Sequence, residues 1–387
     1  MPVRKVKILE FAPTADEIWS LNRNTRDGYT EYNPEKGLIC FMDTGHEAKQ
    51  RPKIITTYAG GKATNVARVM DRLIPDDFQI EVELITFLPP APHGPLEESQ
   101  NWFAGKIEIK PSTPAGIYVQ CLQTNALNKV KPQFEIVEEL RETGQMQTTR
   151  RCIEMMLEGG GTSLNFSPRM IWSQEAAESV KNKVAEVSRN TDMIVMAGAP
   201  PFWEFEDNAI KPYTFYAEIL KILSPDCQVS LDTRGNYLYS CLKGTKTPRF
   251  MFMNTDEFMD LKEKWDSLYR DSFHGTLIIH NEKGCWLWNG KMPERIGDFT
   301  RGEYFPSMEV SEIYSTIGAG DAMHAGFLKE WVFGNNDNSI SKSAVYSQVV
   351  AGTSISNPKA THGIQLEIVD KYFTDFWNEI LNSKEYK

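Results

Sequence analysis

From residue 175 onward the chain alternates short apolar runs with helical stripes, and this rhythm restricts the fold more than any single motif. Glu175–Val187 sets Ala177, Val180, Val184 and Val187 on one helical face. Met193–Ala197 follows as a buried strand, Tyr213–Leu223 as a helix, and Gln228–Leu231 and Phe250–Met253 as further strands. Leu277–His280 and Cys285–Leu287 read as two more, separated by Asn281-Glu282-Lys283-Gly284. Strands that are apolar throughout and alternate with helices predict an α/β protein, its sheet mainly parallel and covered on both faces.

The first half joins this pattern at three places. Lys5–Phe11 is expected as an opening strand, Asn65–Leu73 as a helix with Val66, Val69, Met70 and Leu73 inward, and Gln79–Leu88 as a strand stopped by Pro89-Pro90. Two stretches do not fit. Residues 19–52 are polar and rich in Asn, Arg, Gly and Pro, with one strand expected at Gly37–Met42. Residues 105–167 carry short β-like pieces, Ile107–Ile109 and Gly116–Leu122, before a charged stretch at 128–151. Both read as parts of a small β-sheet lid, contributed by about 19–58 and 105–167, on one domain spanning 1–387.

Composition narrows the partners. With 42 Lys plus Arg against 52 Asp plus Glu the net charge is −10, which argues against broad contact with nucleic acid or an anionic membrane. No run approaches the ~20 apolar residues of a membrane span, and Met1–Glu10 does not read as a signal peptide. The six cysteines are scattered without a C-x-x-C pair and read as reduced, so a cytoplasmic location is expected. The chain has no G-x-x-x-x-G-K-[ST], no G-x-S-x-G and no zincin spacing after His46-Glu47. Its six histidines are dispersed, so no zinc site is expected.

Three segments can carry chemistry. Ser315-Thr316-Ile317-Gly318-Ala319-Gly320-Asp321 precedes the apolar helix Ala322–Val332. Glycines at a helix start bring backbone N–H groups and the positive end of the helix dipole onto an anion. A carboxylate beside such a hole is awkward unless it takes a proton from an attacking group; a glycine turn capped by Asp321 fits the segment equally. Gly60-Gly61-Lys62-Ala63-Thr64-Asn65 also opens a helix. It offers backbone donors and an Asn amide to a polyhydroxy ligand, or simply a turn capped by Thr64. Asn254-Thr255-Asp256-Glu257 follows a strand, where open α/β sheets bind ligands. Asn254 and Glu257 suit Mg²⁺ held through water, although taken alone the segment reads better as a helix cap.

In order along the chain, these segments resemble the PfkB family of carbohydrate kinases, nearest its 1-phosphofructokinase and tagatose-6-phosphate kinase branch. Residues 315–321 resemble the C-terminal signature and residues 60–67 the N-terminal one, with Ala63 at its last glycine. Asn254-x-x-Glu257 matches the magnesium motif, and Leu9–Asp16 resembles the first strand with its substrate-binding Asp. Leu164–Ser167 resembles a returning lid strand, Gly198–Pro201 a G-S-L-P-P loop and Asp232–Gly235 a D-S-S-G loop.

The resemblance implies a ribokinase-like three-layer α/β/α sandwich and ATP- and Mg²⁺-dependent phosphoryl transfer to a sugar or sugar-phosphate hydroxyl. Asp321 would be the general base, and Gly318, Ala319 and Gly320 would hold the transferring phosphoryl group. Asp16, Gly60, Gly61, Lys62, Asn65 and Asn165 would bind the acceptor. His280, Glu282, Gly284 and Asn357 would flank the nucleotide, and Asn254 and Glu257 would hold Mg²⁺. A homodimer through the lid is a further implication.

The sequence departs from the branch at Ser112-Thr113-Pro114-Ala115-Gly116, which lacks the lid Arg that meets a substrate phosphate. Lys53, Lys62, Arg150, Arg151 or Arg169 would have to replace it. Glu282 stands where a small residue is usual, and both lid stretches are enlarged. Two alternatives follow: a kinase of an unphosphorylated sugar or nucleoside on the same fold, and a catalytically silent sugar-binding protein.

Overall fold

The computed structural model describes residues 5–21, 28–33, 37–42, 53–76, 79–89, 118–122, 127–140, 150–157, 162–167, 171–205, 208–210, 213–244, 246–268, 273–334, 340–357 and 360–382. Numbered along the chain, the central sheet runs β18 (Glu303–Pro306), β17 (Gly284–Asn289), β16 (Thr276–Asn281), β15 (Phe250–Asn254), β14 (Gln228–Asp232), β11 (Met193–Ala197), β1 (Lys5–Glu10), β6 (Glu81–Leu88) and β7 (Val130–Ile136). From β16 to β7 every neighbouring pair is parallel; β17 and β18 add antiparallel at the edge.

The inner strands β11, β14, β15 and β16 are buried on both sides, and their side chains alternate between two apolar clusters, as a pleat of period two requires. On β11, Met193, Val195 and Ala197 join the cluster built with α1 (Lys62–Leu73), α7 (Ala319–Phe333), α8 (Ile340–Ile355) and α9 (Leu366–Asn382). Ile194 and Met196 join the opposite cluster, built with α3 (Gln174–Ser188), α4 (Phe215–Ile222) and α5 (Gly235–Leu242). The expected three-layer sandwich with a mainly parallel sheet is therefore present.

A second sheet has the order β5 (Lys53–Gly60), β2 (Thr14–Leu21), β8 (Arg150–Leu157) and β9 (Thr162–Ser167). Its strand β2 leaves β1 after a short turn, and β5 runs directly into α1, so this sheet is tied to the carboxyl end of β1. β3 (Gly28–Asn33) and β4 (Gly37–Met42) pair antiparallel, and β10 (Ile171–Trp172), β12 (Phe202–Phe205) and β13 (Asn208–Ile210) form a small third sheet.

Three expectations are corrected. Residues 19–52, read as loops with one strand at Gly37–Met42, also contain β3 and the end of β2. Within Gly116–Leu122, expected as a strand, residues 118–122 are helical (α2). Tyr118, Val119, Cys121 and Leu122 are buried while Gln120 is exposed, a helical pattern in a run too short for periodicity to declare. Residues 130–136, assigned to the lid, instead form β7 at the edge of the central sheet, where Pro132 is tolerated. Ile107–Ile109 lies outside the described residues.

Candidate active site

Parallel strands place all their carboxyl ends on one edge, and the candidate residues gather there. β1 ends in Glu10, β14 in Asp232 and β15 in Asn254; His280 lies opposite Asn254 near the end of β16. The N-termini of α1 and α7 meet this edge from one side of the sheet.

At α7, Gly318 caps the helix with φ 77°, a left-handed conformation that glycine adopts without penalty. Gly318, Ala319 and Gly320 are half-buried and Asp321, in the first helical turn, is only 5% exposed. A Cβ on Gly320 would stand 3.7 Å from Cε1 of His280, which puts the imidazole against the glycine turn. Asn65 Nδ2 donates to Asp321 Oδ2 at 2.8 Å, joining α1 to α7 across the site.

At α1, Gly61 is the N-terminal flanking residue with φ 107° and supplies no side-chain cap. The cap comes from β1 instead. Glu10, fully buried, accepts from the Thr64 backbone N–H at 2.8 Å and the Thr64 hydroxyl at 2.9 Å, both at Oε2, while Oε1 accepts from the Ala12 N–H at 2.9 Å. The Thr64 hydroxyl continues to Tyr118 at 2.8 Å and Tyr118 to Thr86 at 3.0 Å. A Cβ on Gly60 would lie 1.8 Å from Asp16 Oδ2, so that carboxylate rests directly on the Gly60 backbone.

Lys62 is tied elsewhere than expected. Its Nζ bonds Asp232 Oδ1 at 3.0 Å, with Asp232 buried. Burial pushes the Asp232 carboxyl up, but Lys62 and then His324 and His280 outweigh it and hold it below the usual range. Partial desolvation disfavours the Lys62 ammonium, whose side chain is still 42% exposed, and the carboxylates of Asp232, Asp321 and Glu257 more than restore it, so it stays protonated.

Asp321 behaves differently. Burial raises its carboxyl to about 7, with Lys62, the Asn65 hydrogen bond and Arg68 opposing and Asp232 adding to the rise. Glu10 is likewise raised to about 7, chiefly by burial. His280 is lowered to about 4 by burial, so it is neutral at ordinary pH and can donate one N–H and accept at the other nitrogen.

Asn254 and Glu257 form a capping box on α6 (Thr255–Met259): Asn254 Oδ1 accepts from the Glu257 N–H at 2.8 Å, and Glu257 Oε2 accepts from the Asn254 N–H at 2.9 Å. The helix-cap reading is thus realised. Among the described residues no group of three or more His, Cys, Asp or Glu is placed to hold a metal. The half-buried Glu257 carboxylate nevertheless lies within electrostatic reach of Lys62 and Asp232.

The remaining expected residues divide. Glu282 lies in the exposed β16–β17 turn, and its carbonyl accepts from the Ser307 hydroxyl at 2.8 Å. Gly284 serves the sheet: φ is 143°, and a Cβ would stand 2.1 Å from the Phe305 carbonyl. Asn357, just beyond α8, donates to the Gly363 carbonyl at 2.9 Å and so secures the turn Ala360–Gly363 beside Gly318. Asn165 is opposite Ile153 in β9, and its side chain lies outside what the structure describes. Ser112–Gly116 and Arg169 are outside the described residues.

Glu10 and Arg68 are candidate site residues that no motif singles out, and Asp232 enters the sequence reading only as the first residue of the Asp232–Gly235 loop. A lone acid ending an apolar strand was the available signal for Glu10. Arg68 had none, since an arginine on a helix is ordinarily a solvated charge.

Comparison with known proteins follows the same outline. No family model matches the chain. Phosphofructokinase-2 from Escherichia coli in complex with fructose-6-phosphate is 12% identical with a TM-score of 0.61, covering 97% of this chain and 99% of that one. A possible 1-phosphofructokinase from Thermotoga maritima is 16% identical with a TM-score of 0.60, covering 96% and 98%. A nucleoside kinase from Methanocaldococcus jannaschii, described as an archaeal member of the ribokinase family, is 15% identical with a TM-score of 0.55, covering 97% and 99%. The chain therefore has the ribokinase-like fold over nearly its whole length. In sequence, a type-2 serine–tRNA ligase of M. jannaschii is 38% identical over 60 residues, 16% of this chain and 12% of the ligase.

Proposed function

We propose that the protein is an ATP-dependent kinase of the PfkB type, transferring a phosphoryl group to a hydroxyl of a sugar or sugar phosphate. The carrying observation is the buried Asp321 carboxyl, raised to about 7, at the start of α7 behind the half-buried Gly318–Gly320 turn. A group that titrates near neutrality can accept a hydroxyl proton, and backbone donors beside it can stabilise the charge on a transferring phosphoryl group. The neighbours named as phosphofructokinases support the same reading.

In this reading Asp16, Gly60, Gly61 and Asn65 orient the acceptor, and Asp321 takes its proton as the oxygen attacks. Gly318, Ala319 and Gly320 donate N–H groups to the phosphoryl oxygens, with neutral His280 alongside. Lys62 is held by Asp232 within electrostatic reach of Asp321. Asn254 and Glu257 would hold Mg²⁺ through water, a set of oxygen donors suited to an ion that keeps part of its hydration shell. Bound there, Mg²⁺ would neutralise charge on the nucleotide phosphates. The β5-β2-β8-β9 sheet would be the lid, and a homodimer would form through it.

The nucleoside kinase neighbour favours a second acceptor class, an unphosphorylated sugar or nucleoside, consistent with the missing arginine at 112–116. An ADP-release assay over sugars, sugar phosphates and nucleosides decides between them. Turnover with a sugar phosphate supports the first reading in its phosphofructokinase-like form, turnover confined to unphosphorylated sugars leaves only the acceptor class that both readings share, and turnover with a nucleoside supports the second. No turnover with any acceptor, alongside a thermal shift with a sugar, would overturn both in favour of a binding protein.

A further inference from the structure

We infer that Arg68 is a positioning residue, which acts through Asn65 to engage one carboxylate oxygen of Asp321 and leave the other for the acceptor proton. This rests on the kinase reading and adds a residue to it.

Arg68 stands one turn after Asn65 on α1 and is 6% exposed. One arm of its guanidinium donates to Asn65 Oδ1 at 2.7 Å, and the other donates to the Ala59 carbonyl at the end of β5. The group also lies over the Tyr58 ring, 5.2 Å from its centre. These partners leave the Asn65 amide one orientation. Its oxygen faces a guanidinium, which can only donate, and its NH₂ faces a carboxylate, which when ionised can only accept. A flipped amide would set N–H against N–H and oxygen against oxygen. Arg68 therefore decides which way Asn65 points, and Asn65 engages one oxygen of Asp321. The carboxylate oxygens are equivalent and a half-turn restores the same contact, so the Asn65 hydrogen bond fixes the plane of the group and the direction in which its second oxygen faces.

Other charges face Asp321 and act on it without this directionality. Lys62 on α1 favours its ionised form; Asp232 at the end of β14 and Glu10 at the end of β1 oppose it. His280 on β16 lies by the adjacent Gly320 and is neutral.

The test compares wild type, Asn65→Ala, Arg68→Met and the double variant by two readouts. One is the pH profile of kcat. The other is carbon-13 NMR titration of the Asp321 carboxyl, assigned by its loss in Asp321→Asn. Each single change is expected to move the midpoint up by about one pH unit, the size of one hydrogen bond to a charged group. Arg68→Met is expected to lower kcat about tenfold with the nucleotide KM unchanged. The Arg68 charge also favours the ionised Asp321 directly, so the double variant is expected to shift further than Asn65→Ala but by clearly less than the sum of the two single shifts, because the remainder of the Arg68 effect passes through that amide. Arg72→Met, which removes an exposed positive charge one turn further along, is expected to leave the midpoint in place.

Additive shifts in the double variant would overturn the inference, as would an Arg68→Met midpoint that stays put while only thermal stability falls. Should Arg68→Met not fold, Arg68→Lys keeps the charge without the two-armed fork and is expected to shift the midpoint in the same direction by less. An unmoved midpoint there would also overturn it. The NMR titration needs no turnover, so a protein without kinase activity would refute the proposed function and still return a result on Arg68.

Discussion

At the scale of single residues, the site is a set of buried charges whose environments divide their roles. Asp232 is paired with Lys62 and stays ionised, whereas Asp321, behind the glycine turn, titrates near neutrality. Replacing Asp321 by Asn keeps the shape and the contact with α1 but removes the proton acceptor. We expect kcat to fall by about 10²–10⁴-fold with nucleotide affinity nearly unchanged, measured by steady-state kinetics and calorimetric titration. Near wild-type kcat in this variant would remove Asp321 from the role of base. Gly60→Ala tests the acceptor side. The added methyl would occupy the space of the Asp16 carboxylate, which can swing away. The expected outcome is a raised KM for the acceptor, an unchanged KM for the nucleotide and little loss of thermal stability.

At the scale of elements, two helix starts are capped in different ways, and both caps lie at the site. On α6, Asn254 and Glu257 cap each other, so Asn254→Ala leaves N–H groups of the first turn without their acceptor. A loss of about 1 kcal/mol in urea unfolding is expected, together with a weaker apparent affinity for Mg²⁺ in the kinase assay. Unchanged Mg²⁺ dependence would leave the pair a helix cap and nothing more. On α1 the cap is Glu10, reached from β1, and no local pattern announces it because the partners are 54 residues apart. Elements legible in sequence were those with a strong period: α3, β11, β14, β15 and β16 lie where the apolar runs put them. Residues 118–122 are helical where a strand is expected because a short apolar run with Tyr and Val suits either element equally well. Val130–Ile136 joins the central sheet and not the lid because a polar segment can pair at a sheet edge, where β6 supplies the partner.

At the scale of the whole molecule, the buried titratable groups pull stability in opposite directions. Glu10 and Asp321 are raised to about 7, so the fold holds their protons more firmly than the unfolded chain does. Their contribution is full below the ordinary carboxylate range and is lost as pH rises through 7. His280 and His324 are lowered to about 4 and His362 to about 3, each chiefly by burial. Their contribution is full above the ordinary histidine value and is lost as pH falls toward 4. Thermal unfolding followed from pH 4 to pH 9 is therefore expected to peak near pH 6–7. In Asp321→Asn the alkaline fall should be shallower, and an unchanged alkaline limb would show that Asp321 does not carry the shifted titration.

What the sequence determined by itself was the layered α/β architecture and the two glycine turns at helix starts, with Asn65 and Asp321 in the helical turns that follow. Each is written in local periodicity or in residues whose conformational freedom and chemistry are their own. Only the tertiary structure decided that Glu10 caps α1, that Lys62 serves Asp232, that Gly284 serves the sheet edge and that Arg68 reaches the site through Asn65. Those roles depend on which side chains a parallel sheet brings to one edge. They depend also on burial, which sets whether a carboxyl there is a fixed charge or a group that trades a proton near neutrality.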